Sequence, residues 1–317
     1  MKIVLAEPLG ISPSRLEEYA GEIRAMGHDF IICPNRPNDL AALCRRVEDA
    51  DAVMLANMPF PKEAVAAGKN LRYIDIAFTG VDHVDLAACK ERGIAVSNAS
   101  GYSDIAVAEL AFGLMLSLCR RLVPCNAAAR GGGTKEGLIG TELFHKTLGV
   151  VGTGKIGTAV IRIALAFGMR VLAYSRTVKP DLEALGVRFV SLPKLMEQSD
   201  IVTLHVPQNA ATTGLINREL LERMRPTAML INTARGPIVD NGALASLLQE
   251  GRIAGAGIDV FEMEPPIPQD HPLATAPNTL LTPHVAFATD EALERRAAIV
   301  FDNLKHWLQG TVTNQVC

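Results

Sequence analysis

Thr147–Val160 reads TLGVVGTGKIGTAV: an apolar, β-branched run, then Gly152-Thr153-Gly154-Lys155-Ile156-Gly157, then the start of an amphipathic helix. Few short segments restrict a fold so tightly. The glycines permit a tight turn, close approach of the backbone to a bound group and close helix packing, while the helix N-terminus offers unpaired amides to an anion. A Gly-x-Gly-x-x-Gly match alone is weak. Preceded by a strand and opening a helix, it predicts a parallel α/β sheet that holds the pyrophosphate of a dinucleotide.

The same alternation recurs along the chain. From Met1 to about Ala99 the runs KIVLA, FIIC, AVMLA, YIDIAF and GIAVSN alternate with helical stretches; from about Thr147 the runs TLGVVG, RVLAY, VRFV, IVTLHV, AMLIN, IAGAGID and TLLTPH do so again. Continuous apolar runs of this kind suit strands buried on both faces. With 317 residues and 49% hydrophobic side chains, the chain is long for one compact α/β domain. The expectation is an α/β protein of two doubly wound parallel sheets (Rossmann/flavodoxin-like), with 1–99 plus 287–317 as a substrate-binding domain and 100–286 as a dinucleotide-binding domain. Residues 103–129 read as one long helix rich in Ala and Leu, with more apolar surface than one sheet face covers, so part of it is expected to pack on another subunit. The closing helix, about Thr289–Leu308, carries Leu293, Ala297, Val300, Leu304 and Leu308 at helical spacing and is expected to cross back onto the first domain.

Composition removes several classes. Thirty-one basic and 34 acidic residues leave a net charge of -3, which gives no general attraction to nucleic acid or anionic lipid. The most apolar segment, Ile105–Leu118, is interrupted by Glu109 and is short for a membrane span. Six cysteines without Cys-x-x-Cys spacing, and a chain that starts on a strand rather than a leader, fit a reducing, cytoplasmic setting. No histidine pair has metal-ligand spacing with a carboxylate nearby, so no metal site is expected. His28, His271 and His306 read as solvated residues and His145 as a connector. His83, in TGVDHVD, reads as near a substrate, and His205, ending IVTLHV, as lining the adenine side of a nucleotide.

Three ionisable residues stand just past strand-like runs: Arg235 in INTARG, Glu264 in DVFEMEPP and His284 in LLTPHVA. Each has an ordinary explanation alone: a helix cap, a solvated turn, a loop-packing residue. All three follow strands on the side where doubly wound sheets bind ligands, which argues for a joint site. A carboxylate on one imidazole nitrogen fixes the tautomer and stabilises the charged ring, so His284 with Glu264 makes a proton donor. Arg235 offers a planar fork for a carboxylate. Beside a nucleotide pocket, this set predicts hydride transfer on a small 2-keto or 2-hydroxy acid.

Where a fold specific for NAD would place an acid to accept the adenosine ribose hydroxyls, the chain has Ser175, Arg176 and Thr177 after Tyr174. Losing the carboxylate removes repulsion against a 2′-phosphate, and Arg176, with Lys179, offers cations to it. This favours NADP(H), with NAD(H) also accepted if Arg176 only stacks on adenine. Asn57 and Met58, in the loop Asn57-Met58-Pro59-Phe60, are assigned to the C3 side of the substrate, though Met58 and Phe60 also suit packing.

TGVDHVDLAACKERGI, DIAVAELAFGLML, VVGTGKIG, HVPQNAATTGLIN, INTARGPIVDNGALASLLQEGRIAGAGIDVFEMEPP and TPHVAFAT, in this order, resemble the D-isomer-specific 2-hydroxyacid dehydrogenase family over nearly the whole chain, its glyoxylate/hydroxypyruvate reductase and glycerate dehydrogenase members above all. The resemblance implies that Arg235 binds the substrate carboxylate and carbonyl, that His284 is the acid/base and that Glu264 orients it. It implies that Thr79 and Gly80 cradle the carboxylate, that Thr153–Ile156 meet the pyrophosphate, and that Val206, Pro207 and Thr212 surround adenosine. Thr233, Ala234 and Asp259 would lie near nicotinamide, with His284 and Ala286 completing the cofactor side. It further implies an active site in a cleft between the two domains and a homodimer formed through the helix 103–129. Two departures stand out. GGGTKEGLIG occupies the place where many members carry a Trp, the chain's one Trp being Trp307, and His145 stands where many have Gly. Two alternatives remain open: an NAD-dependent 2-hydroxyacid or phosphoglycerate-type dehydrogenase, which would need extra cations in the first domain and commonly a C-terminal extension, and a non-catalytic nucleotide-sensing protein.

Overall fold

The computed structural model describes all 317 residues, which divide into two compact units, 1–103 with 288–317 and 104–287. In the first unit the five apolar runs become β1 (Lys2–Leu5), β2 (Asp29–Ile32), β3 (Ala52–Leu55), β4 (Tyr73–Ile76) and β5 (Ala95–Asn98). They pair in the order β2-β1-β3-β4-β5, all parallel, the flavodoxin-like arrangement. Every residue of β3 and β4 is buried, as a sheet covered on both faces requires. The helix Asp290–Leu308, capped by Thr289, lies on β4, where Trp307 stacks on Tyr73 at 4.8 Å.

The second unit holds β6 (Thr147–Val151), β7 (Arg170–Tyr174), β8 (Arg188–Phe189), β9 (Ile201–Leu204), β10 (Met229–Asn232), β11 (Gly255–Ile258) and β12 (Thr279–Leu281). Their order is β12-β11-β10-β9-β6-β7-β8, again all parallel. The chain therefore runs outward from β6 in one direction and then from β9 in the other. Between β6 and β9 lies the switch point at which such sheets bind their ligand.

Two sequence expectations need correction. Residues 103–129 are two helices, Asp104–Cys119 and Leu122–Arg130, separated at Arg121, whose φ is 51°. Pro124 explains the break: it lacks an N–H, and its ring would meet the carbonyl of residue 120 in a continuous helix. His271, read as solvated, is 6% exposed. Its Nδ1 accepts from the Leu273 amide, capping a short helix, and its Nε2 lies 3.1 Å from Glu262. His145 occupies the left-handed region at φ 60°, the backbone state that favours glycine at this position. No helix is long and apolar enough to cross a membrane.

Candidate active site

The nucleotide loop follows from β6. Gly152 sits at φ 97°, and a Cβ there would come within 2.5 Å of the His205 carbonyl; a Cβ on Gly157 would meet the Gly152 carbonyl at 2.0 Å. The turn is thus closed to a side chain at Gly152 and Gly157, and the helix Lys155–Ala166 begins at Gly154 with no side-chain cap. Its first amides are left for a ligand. Thr153, 2% exposed, and Thr233, 7% exposed, each keep a hydroxyl with no partner in the protein. Buried hydroxyls are ordinarily satisfied, so these orphans and the side-chain-free cradle fit a dinucleotide lying across the ends of β6 and β10.

Beyond β7, Ser175 is half-buried and Arg176 and Thr177 are exposed. Lys179 reaches back so that its Nζ lies 3.4 Å from Thr158 Oγ1, and Thr158 in turn donates to the Thr153 carbonyl. A cation therefore stands beside the glycine-rich turn, which sequence reading alone did not place there. On the other side of the switch point, His205 Nε2 pairs with Thr203 Oγ1 at 2.9 Å, and burial pushes its pKa down to about 3. Val206 and Pro207 follow, and Thr212 Oγ1 donates to the Pro207 carbonyl at 2.6 Å while accepting from the Asn209 amide, closing that turn.

A histidine–carboxylate pair forms past β11 and β12. Glu264 embraces His284 Nδ1 with both carboxylate oxygens, at 3.0 and 2.9 Å. His284 has a side chain 10% exposed against 55% for Glu264. A carboxylate accepts only, so Nδ1 carries the hydrogen and Nε2 faces the other way. His284 adopts φ 56°, and Asp259 explains how that turn is held. Its Oδ1 accepts from Thr282 Oγ1 and the Val285 amide, its Oδ2 accepts from the Ala286 amide, and its backbone carbonyl accepts from the His284 amide. Burial pushes the Asp259 pKa up, opposed by those donors and by His284. Sequence reading gave Asp259 a contact with nicotinamide. Its side chain also fixes the turn that carries His284 and Ala286.

Arg235 leaves β10 in extended conformation. Its Nη1 donates to the Ala234 carbonyl at 2.8 Å, and the buried Asn232 clamps the bend, donating to the Arg235 carbonyl and accepting from the Ala234 amide. At Gly236 the chain presses on the Phe261 carbonyl group, where a Cβ would lie 1.9 Å from the carbonyl carbon. That contact joins the Arg235 bend to the loop leading to Glu264. Arg235 and His284 leave neighbouring-but-one strands, about 10 Å apart at two strand spacings.

In the first unit, Thr79 and Gly80 lie in the loop after β4, where Asn98 Nδ2 donates to the Thr79 carbonyl at 2.8 Å. His83 is in the following turn, edge-on to Phe78. Asn57 is half-buried after β3, whereas Met58 and Phe60 are buried at 4% and 0% exposure and pack in the core. No cluster of three or more His, Cys, Asp or Glu side chains is arranged to hold a metal.

Residues 112–286 match the family described as D-isomer specific 2-hydroxyacid dehydrogenase, NAD binding domain. The chain is 41% identical over 283 residues to a glyoxylate reductase of Korarchaeum cryptofilum, covering 87% of this chain and 85% of that protein. It is 34% identical over 325 residues to a hydroxypyruvate reductase of Blautia hydrogenotrophica, covering 100% of this chain and 99% of that one. Among solved structures, an acyclic imino acid reductase (Bsp5) in complex with NADPH and D-Arg superposes over the full length of both chains with a TM-score of 0.90 at 32% identity.

Proposed function

The chain belongs to the D-isomer-specific 2-hydroxyacid dehydrogenase family, an oxidoreductase acting on CH–OH with a nicotinamide cofactor, and we propose that it reduces a small 2-keto acid of the glyoxylate/hydroxypyruvate type to the D-2-hydroxy acid, with NADPH preferred. The observation that carries this reading is the His284–Glu264 pair, held by Asp259 beside the Arg235 bend in a sheet with a closed glycine turn.

When bound, the reduced nicotinamide supplies a hydride to C2 of the keto acid. The remaining work falls to the protein. Arg235 grips the substrate carboxylate and polarises the carbonyl through its planar fork. Glu264 keeps the hydrogen on His284 Nδ1 and stabilises the imidazolium, so Nε2 delivers a proton to the carbonyl oxygen as charge develops there. In the reverse direction the neutral Nε2 takes the hydroxyl proton. Amides at Thr79 and Gly80 are assigned to the substrate carboxylate, and Asn57 to C3. Amides of Gly152–Gly157 with Thr153 hold the pyrophosphate; Val206, Pro207 and Thr212 enclose adenosine; Thr233, Ala234 and Ala286 border nicotinamide. Ser175, Arg176, Thr177 and Lys179 form the 2′-phosphate end, where no acid opposes the phosphate. We assign substrate recognition to the first unit and cofactor binding to the second. The protein works as a homodimer in the cytoplasm, where its six free thiols stay reduced.

His284→Ala is expected to lower kcat by about 10²-fold or more while NADPH binding, followed by fluorescence titration, is retained. Turnover at the wild-type rate would remove His284 from the chemistry.

A further inference from the structure

Three charged residues surround Asn57 and have no part in the reaction described above. Glu7, just past β1, is 0% exposed. Its Oε1 accepts from the amides of Ala56, at 2.6 Å, and Met58, at 2.9 Å, the two that flank Asn57. Its Oε2 lies 2.6 Å from Arg36 Nε, and Arg36 Nη2 donates to Asn57 Oδ1. Arg46 holds the segment carrying Arg36, donating to the carbonyls of Ala6 and Asn35, both at 2.6 Å. One buried carboxylate thus grips the main chain on both sides of Asn57 and, through Arg36, its side chain.

Packing alone does not call for this arrangement. A buried carboxylate is costly unless fully paired, and an apolar residue would fill the space at less expense. The chemistry of the contact specifies what the arrangement achieves. A guanidinium has donors and no acceptor, so the Asn57 atom that faces Arg36 is its oxygen. The amide cannot turn over without setting N–H groups against N–H groups. Its Nδ2 edge is therefore directed away from Arg36, and its hydrogens meet no acceptor in the protein.

We propose that Arg36, backed by Glu7, is a positioning residue that fixes the Asn57 carboxamide with its N–H edge toward C3 of the substrate, and so selects 2-keto acids bearing a hydrogen-bond acceptor at C3, such as the hydroxyl of hydroxypyruvate. This rests on the reading that Asn57 meets the substrate. A substrate ending in methyl offers that donor no acceptor, and such mismatches discriminate. The Arg36 charge is offset by Glu7, so the device recognises a hydroxyl rather than a phosphate.

The test compares kcat/KM for hydroxypyruvate and for pyruvate in the full-length wild type, Arg36→Met, Asn57→Ala and the double variant, with NADPH. Arg36→Met is expected to lower the hydroxypyruvate-to-pyruvate ratio about tenfold, through KM, with the constants for pyruvate and NADPH unchanged. Asn57→Ala is expected to lose the same selectivity, and adding Arg36→Met to it is expected to cost nothing more, because Arg36 acts through Asn57. An active wild type whose ratio is unmoved by Arg36→Met overturns the proposal alone. So does a further loss in the double variant, which would mean that Arg36 touches the substrate itself. A wild type inert on every 2-keto acid overturns the functional reading and this proposal with it. Asn57→Ala removes only a half-buried loop side chain, and a ratio unchanged in that variant overturns the proposal even if Arg36→Met does not fold.

Discussion

His205, just past β9, shows at the scale of one residue what burial does to a titratable ring. Its ring is held neutral by burial, with a pKa near 3 in the folded protein against 6.5 as the ordinary value. A histidine lowered in this way contributes stability that is complete above 6.5 and is lost as the pH falls from there toward 3, because the unfolded chain takes up the proton first. Relative to His205→Asn, the wild type is expected to lose up to about 1.4 kcal/mol per pH unit below 6.5, read from urea midpoints between pH 7.5 and 4.5. A constant difference between the two proteins across that range would contradict it. Residues differ in how far they were legible in sequence. Arg235, Glu264 and His284 stand out only as a set, since each has an ordinary explanation alone and all three follow strands on the side where doubly wound sheets bind ligands. The pairings of the Glu7 and Asp259 carboxylates were not legible, because the partners lie 49 and 51 residues away for Glu7 and 23 to 27 for Asp259, and no local pattern marks them. His271 was misread for the same reason: its polar neighbourhood in sequence is not its neighbourhood in space.

Among the elements, strands were the most legible, since a run buried on both faces leaves little alternative in an α/β alternation. The helical region 103–129 was misjudged by following hydrophobicity and passing over Pro124, a local signal that was present in the sequence. The contact between the β10 bend and the loop after β11 was not legible, because Gly236 looks like an ordinary turn glycine until Phe261 is placed against it. Gly236→Ala drives a methyl group into backbone that has no flexible end to give way. It is expected to destabilise the protein by about 3 kcal/mol or more and to reduce kcat by displacing both Arg235 and the Glu264 loop. Thermal unfolding and initial rates check this together. A variant as stable and as active as the wild type would mean that the bend is looser than described.

On the scale of the molecule, the chain returns residues 288–317 to its first unit, and the contacts explain why they stay there. Asn303, on the last helix, donates to Asp75 Oδ1 on β4 and to the Asn98 carbonyl on β5, and accepts from Thr313 and Asn314; Ser97 donates to the Thr313 carbonyl. Asp75 is fully buried, and burial raises its pKa well above the carboxylate range. A carboxyl raised in this way contributes stability at low pH that is lost as the pH climbs past its unfolded value. Asp75→Asn keeps the acceptor for Asn303 and cannot ionise, so its Tm is expected to gain on the wild type progressively from pH 4 to pH 8. A Tm difference independent of pH would count against a protonated Asp75. Apolar side chains around the two helices after residue 103, including Val123 at 60% and Ile139 at 85% exposure, are the surface we propose for the dimer. Light scattering is expected to give about twice the 33.9 kDa chain mass, and a monomer at micromolar concentration would contradict that assignment.

The most direct test of the account is initial rates for the purified protein on glyoxylate, hydroxypyruvate, pyruvate and 2-ketoisocaproate, each with NADPH and with NADH. Turnover of a small keto acid is expected, faster with NADPH than with NADH and with hydroxypyruvate ahead of pyruvate. Nucleotide binding without turnover of any pair would contradict it and leave a protein that senses the cofactor without using it.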